Sequence, residues 1–216
     1  MPTTYEPAAA VAALQRIDKH LAKLIRRVGP ITLEQRRMDD TFQTLVRAIV
    51  YQQLSGKAAA TIHGRAVDAF GVRKKIKPER LLAAKDDELR AVGMSRAKVA
   101  AVKDLAAKTL DGTVPTLAKL RRMSDEEIVE RLTSVRGIGV WTVEMLLLFR
   151  LGRPDILPIS DLGVRKGFML TYGHDEMPKP SVVLAHGERW RPYRSVASWY
   201  LWRACDLTAK KTPVPM

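Results

Sequence analysis

The sequence predicts an all-α protein, and three observations carry that expectation. Apolar residues recur at three- and four-residue spacing over long stretches, and no segment alternates apolar and polar for long enough to make a convincing strand. Serine, aspartate or proline stands at the head of most of the apolar runs, where helices start, and the loops between them are short. Together these give roughly ten helices in compact packing.

In chain order, Leu14, Ile17, Leu21, Leu24 and Val28 form one stripe that Gly29-Pro30 ends, so a first helix is expected from about Ala8 to Arg27. A second begins near Asp40 and buries Phe42, Leu45, Val46, Ile49 and Val50. Ser55 caps a third, through Lys57 to Phe70. Pro78 suits a first helical turn, Asp86 caps a helix covering Glu88 to Val92, and Ser95 caps a longer one through Leu110 that Asp111-Gly112 ends. Ser124-Asp125-Glu126-Glu127 has the form of a capping box ahead of Ile128 to Leu132, and a further helix runs to Arg150. Helices are also expected after Ser160 and Ser195. Val92-Gly93-Met94-Ser95 echoes the later glycine turn but reads as a helix end, and the basic tail from Lys210 to Pro215 reads as frayed and solvated.

Thirty-seven basic residues against 23 acidic ones leave a formal charge of +14, which points to a polyanionic partner. Hydrophobic residues make up 46% of the chain, yet no apolar run approaches the ~20 residues of a membrane span. The start, Met1-Pro2-Thr3-Thr4-Tyr5-Glu6, has neither the basic nor the apolar region of a signal peptide. A single cysteine, Cys205, fits a reducing compartment and excludes an intrachain disulfide, a Cys-based zinc site and a four-cysteine iron–sulfur cluster. His20, His63, His174 and His186 show no metal-ligand spacing. The expected location is the cytoplasm, at the nucleoid, in a bacterium, or the nucleus in a eukaryote.

Two motifs stand out. Val135-Arg136-Gly137-Ile138-Gly139-Val140-Trp141 places Gly-Ile-Gly between apolar helical runs, a tight turn whose exposed N–H groups suit phosphate. Leu157-Pro158-Ile159-Ser160-Asp161-Leu162-Gly163 presents one aspartate in a position that an ordinary helix N-cap also occupies.

Leu132 to Phe149 followed by Asp161 resembles the helix-hairpin-helix-GPD superfamily of base-excision DNA glycosylases, and within it the 3-methyladenine DNA glycosylase II family. Ala48-Ile49-Val50-Tyr51-Gln52-Gln53-Leu54-Ser55, Leu89 to Leu105, and Glu188-Arg189-Trp190-Arg191-Pro192-Tyr193-Arg194-Ser195 leading to Trp202 extend the likeness over residues 40 to 205. The resemblance implies two helical lobes with a cleft between them. One would comprise residues 41–150 and carry the hairpin at about 133–141, and the other residues 1–40 with 151–216.

The resemblance further implies that main-chain N–H groups around Gly137, Gly139 and Trp141 grip phosphate, and that the carbonyls of Thr133, Val135 and Ile138 ligate a monovalent sodium or potassium ion. No other cofactor is implied. Arg136 replaces the proline usual in the family, which would loosen the turn. Asp161 matches the catalytic aspartate, whose charge stabilises the oxocarbenium ion formed as the base leaves. Trp141 and Trp202 match pocket walls, where an indole face favours cationic purines, and Met145 replaces a pocket tyrosine with a roomier wall. Trp190 and Trp199 read as core. Gln53 would fill the gap left by the flipped nucleotide, with Leu54 as the alternative. Bifunctional relatives carry a lysine directly after the hairpin; here that position is Trp141, and no lysine occurs between Lys119 and Lys166.

The implied protein is a monomeric, monofunctional glycosylase that flips 3-methyladenine and 7-methylguanine type lesions out of double-stranded DNA and hydrolyses the N-glycosidic bond to start base excision repair. Two other functions fit the residues. One is a non-catalytic DNA-scanning module, and the other a glycosylase for neutral lesions such as hypoxanthine or ethenoadenine.

Overall fold

A computed structural model describes residues 5–35, 38 and 40–209. The start Met1 to Thr4 and the basic tail from Lys210 to Pro215 lie outside the described residues. Contacts divide the chain into a unit of residues 38–143 and a unit of residues 1–37 with 144–216. Among the described residues, no helix is long and apolar enough to cross a membrane.

In the 38–143 unit, helix α3 (Thr41–Tyr51) starts where Asp40 Oδ1 accepts the Gln43 N–H at 3.0 Å and buries Phe42, Leu45, Val46, Ile49 and Val50. Ser55 caps α4 (Gly56–Phe70), which leads into a short antiparallel ribbon, β1 (Gly71–Val72) and β2 (Lys75–Ile76). The ribbon was not expected, because two-residue strands have no readable alternation. Gln43 ties it to α3, its amide donating to the Ile76 carbonyl at 2.7 Å and accepting the Ile76 N–H at 3.0 Å. Next come α5 (Pro78–Ala83), with proline in its first turn, and α6 (Asp86–Ala91). Lys85, not Asp86, is the N-cap of α6, and Glu88 reaches back to the Lys85 N–H at 2.7 Å.

Helix α7 (Arg96–Leu110), capped by Ser95, packs on α3, α5 and α6 through Val99, Val102, Leu105 and Ala106. After α8 (Leu117–Leu120), the Ser124–Glu127 capping box opens α9 (Asp125–Thr133). Helix α10 (Val140–Leu146) follows the glycine turn and widens into a π-helical turn over Leu147–Leu151.

The other unit begins with two helices where one was expected, α1 (Pro7–Ile17) and α2 (Lys19–Val28). The apolar stripe continues across the break, so periodicity alone hides it. Asp18 makes the break: its backbone ends α1, and its Oδ1 accepts the N–H groups of His20 and Leu21 at 3.1 and 3.0 Å to start α2. Its Oδ2 accepts from the Tyr172 hydroxyl at 2.6 Å and the Trp190 indole N–H at 3.0 Å, with His186 Nε2 also at 3.0 Å. A carboxylate 4% exposed is thereby fully partnered.

Helices α11 (Leu162–Tyr172) and α12 (Pro180–Gly187), a 3₁₀ turn at Glu188–Trp190 and α13 (Arg194–Ala209) complete the unit. Leu21, Phe168, Val183, Trp190, Trp199 and Tyr200 sit in its core. Ser195 lies inside α13 and does not cap it. Its buried hydroxyl donates to the Arg153 carbonyl at 2.6 Å and accepts the Ile156 N–H at 2.9 Å, pinning the segment that leads to Asp161.

Candidate active site

The hairpin belongs to the 38–143 unit. Val135 and Ile138, 1% and 4% exposed, are sunk into its core, while Arg136, Gly137 and Gly139 face solvent. The Val135 N–H donates to the Leu132 carbonyl at 3.2 Å, and the Ile138 N–H to the Val135 carbonyl at 3.0 Å. The two glycines serve different needs. Gly137 has φ 78°, the left-handed region that disfavours a side chain. Gly139 is not left-handed and has open space where a Cβ would stand, so its missing side chain favours approach from outside. Among the described residues, neither glycine N–H has a partner, and amides so placed attract anions.

Arg136 does not loosen the turn. Its N–H, which proline would lack, donates to Asp104 Oδ2 at 2.7 Å. Lys108 holds the same carboxylate oxygen at 2.9 Å and also donates to the Ser134 carbonyl. Burial alone would raise the Asp104 pKa, but the Arg136 N–H and Lys108 outweigh it and hold it below the usual carboxylate range.

In the same unit α3 ends at Tyr51 and the chain turns through Gln52, Gln53 and Leu54. Gln53 is left-handed at φ 56°, and both Gln53 and Leu54 are exposed, Leu54 by 40%. The Gln52 side-chain amide donates to the Gly137 carbonyl at 2.8 Å, so the turn and the hairpin are joined. Trp141, in the first turn of α10, is 48% exposed, and Thr133 is half-buried.

Asp161, Met145 and Trp202 belong to the other unit. Asp161 is the N-cap of α11, its Oδ1 accepting the Val164 N–H at 2.8 Å. The same oxygen accepts the Trp202 indole N–H at 2.8 Å, so two donors from different helices orient the carboxylate. Trp202 is half-buried and stacks on Phe149 with ring centroids 5.6 Å apart. Met145 is half-buried on α10.

Close approach of α13 to α11 makes that geometry possible, and two glycines one turn apart permit it. A Cβ on Gly163 would stand 2.7 Å from Trp202 Cδ1 and 3.1 Å from Asp161 Oδ1. One on Gly167 would overlap the Leu201 carbonyl at 1.9 Å.

A second carboxyl shares the electrostatics of Asp161. Glu144 Oε2 is buried without a hydrogen-bond partner. Burial first, and then the charge of Asp161, push its pKa up to about 7. Motif reading missed Glu144, Phe149 and Gly163. Glu144 did leave a signal, as the one charged side chain in the apolar run from Val143 to Phe149. Phe149 and Gly163 left none, since their roles depend on what α13 brings against them.

Comparison with known proteins bears on the same residues. The family model for HhH-GPD superfamily base excision DNA repair protein matches residues 46–192. DNA-3-methyladenine glycosylase 1 of Schizosaccharomyces pombe is 36% identical over 203 residues, covering 93% of this chain and 89% of that protein. A solved structure of Schizosaccharomyces pombe 3-methyladenine DNA glycosylase in complex with abasic DNA is 34% identical, with a TM-score of 0.76 over 96% of this chain and 100% of that one. For the crystal structure of DNA-3-methyladenine glycosidase from Bacillus halodurans, the identity is 34% and the TM-score 0.84, over 97% of this chain and 94% of the other. With the family model spanning the hairpin, Asp161 and the segment up to Pro192, the chain belongs to the HhH-GPD superfamily of base excision DNA repair proteins.

Proposed function

We infer that this base-excision DNA glycosylase removes alkylated purines of the 3-methyladenine and 7-methylguanine type from duplex DNA, acting as a monomer and without lyase activity. The observation that carries the reading is the Asp161 carboxylate, oriented at 2.8 Å by both the Val164 N–H and the Trp202 indole. As the N-glycosidic bond breaks, its electron pair leaves with the base and positive charge grows on the sugar. A pre-oriented carboxylate stabilises that charge without reorganising. Water then adds to the anomeric carbon and gives its proton to solvent. A cationic purine departs as a neutral base, so no acid is required to release it.

The remaining residues take supporting roles. The +14 charge and the N–H groups around Gly137, Gly139 and Trp141 hold duplex DNA by its phosphates irrespective of sequence. The carbonyls of Thr133, Val135 and Ile138 would hold a monovalent sodium or potassium ion, which supplies positive charge beside the phosphate. The Val135 carbonyl accepts the Ile138 N–H and keeps a second lone pair for such a ligand, so the donor set fits a hard, weakly bound cation. Trp141 and Trp202 would each offer an indole face, and Met145 a thioether, to the flipped base, and an indole face favours a cation by ~0.5–2 kcal/mol. Gln53 or Leu54 fills the vacated stack.

The test is base release from alkylated duplex DNA by wild type and Asp161→Asn. The variant should bind duplex and lose base release, whereas wild type should leave an intact abasic strand. Normal turnover by the variant would overturn the assignment of Asp161. Borohydride should trap no covalent adduct with wild type, and a stable adduct would overturn the monofunctional reading.

A further inference from the structure

The turn that follows α3 is held by one half-buried ammonium group. The last carbonyls of an α-helix have no intrahelical donor, and here that end is where α3 gives way to Gln52, Gln53 and Leu54. Lys98, on the first turn of α7, donates from Nζ to the Val50 carbonyl at 2.7 Å and to the Gln52 carbonyl at 3.0 Å. Its side chain is half-buried, and burial lowers its pKa.

From the turn the connection continues outward. The Gln52 amide donates to the Gly137 carbonyl at 2.8 Å. Arg136, next to Gly137, is tied through its N–H to Asp104, which α7 also supplies. α7 therefore grips the turn at Lys98 and the hairpin at Asp104, and Gln52 joins the two directly. Gln53 sits at φ 56°, a conformation an ordinary side chain adopts only when its surroundings hold it.

We propose that Lys98 is the positioning residue for base flipping: its ammonium fixes the Gln52–Leu54 turn against the phosphate-gripping hairpin, so that the inserting side chain is already in place when the nucleotide turns out. This rests on reading Gln53 or Leu54 as the inserted side chain. A pre-ordered wedge matters where a stacked, paired nucleotide must be displaced. It matters little where the lesion is already unpaired. A cap serving stability alone would affect both substrates equally.

The experiment uses the full chain with two sets of variants. Lys98→Met keeps the aliphatic stem and removes the donor, Lys98→Arg restores a cation, and a Gln53→Ala/Leu54→Ala double variant tests the insertion reading. For each, thermal melting, affinity for undamaged duplex, single-turnover base release from a fully paired lesion and from the same lesion in a bulge, and fluorescence of 2-aminopurine beside the lesion are measured. Lys98→Met should slow release from paired duplex by about tenfold or more and reduce the 2-aminopurine signal, with bulge release and undamaged-duplex affinity within about twofold of wild type. Lys98→Arg should recover most of the loss. Equal losses on paired and bulged lesions, or an unchanged flipping signal in folded Lys98→Met, would overturn the proposal while leaving the insertion reading intact. Should Lys98→Met not fold, Gln52→Ala, which cuts the link from the turn to Gly137, carries the same comparison: a normal paired-to-bulge ratio in it would overturn the proposal. A normal flipping signal in the Gln53→Ala/Leu54→Ala variant would overturn the insertion reading itself.

Discussion

Replacing Glu144 by glutamine should stabilise the protein above neutral pH and leave it unchanged in acid. The side chain keeps its volume, but the carboxyl that burial and the Asp161 charge hold at a pKa of about 7, against an ordinary 4.5, can no longer ionise. A displacement of roughly 2.5 pH units corresponds to about 3.4 kcal/mol if none of it is screened. Glu144 is partly solvent-exposed, and screening reduces this to about 1–2 kcal/mol. Because the folded-state pKa is raised, the native protein keeps a proton that the unfolded chain has lost between pH 4.5 and 7. The wild type therefore has its full stability from this group below pH 4.5, loses it as pH rises through about 7, and changes no further above that. Urea unfolding of wild type and Glu144→Gln across that range, read as a difference, cancels the other titrating groups. The difference should be near zero in acid and reach about 1–2 kcal/mol in favour of the variant at pH 8. A flat difference curve would refute the reasoning, since it would mean that Glu144 ionises as freely in the folded protein as in the unfolded chain.

Gly163→Ala should cost about 1–3 kcal/mol in thermal unfolding and slow base release at least tenfold, because the added Cβ meets Trp202 Cδ1 at 2.7 Å and displaces the indole from Asp161; unchanged kinetics would mean that the indole does not orient the carboxylate. Gly139→Val should weaken binding to damaged and undamaged duplex alike in gel-shift titrations while lesion preference survives, and loss of preference alone would place the turn in base recognition. Asp18→Asn should destabilise the fold by about 2–4 kcal/mol in urea melts at pH 7, since the amide places donors against the Tyr172 and Trp190 donors. Burial works to raise Asp18, but the Leu21 N–H, Tyr172, Trp190 and His186 outweigh it and lower its pKa from 3.8 to about 2, so its contribution is present above pH 3.8 and lost as pH falls through about 2. An unshifted acid transition in Asp18→Asn would contradict that.

How far the sequence could be read depended on whether a residue's role was local. Ser95, Ser124 and Glu127 cap helices three residues away, and their positions were legible because the partner is fixed by helix geometry. Asp18 shows where that logic stops. Its capping bonds are local, but the apolar positions Leu14, Ile17, Leu21 and Leu24 continue in helical register across it, so the break shows only when the side chain is seen turned inward to Tyr172 and Trp190. Ser195 misled for the opposite reason: it has the right residue type for a cap, yet its hydroxyl serves Arg153 and Ile156, which no spacing rule connects to it.

Asp161 combines both cases. Read locally, Ser160-Asp161-Leu162 is a helix start, and the Val164 N–H bond makes it one. Read by resemblance, the same residue is the charge that faces a developing cation. These are not competing explanations, because one oxygen accepts both the capping N–H and the Trp202 indole N–H. A carboxylate that has to be aimed in one direction gains from being the cap of a helix. Resemblance placed Trp202 at the site, and what the sequence hid is how α13 brings it there: its indole N–H reaches Asp161 across a contact that Gly163 and Gly167 keep open.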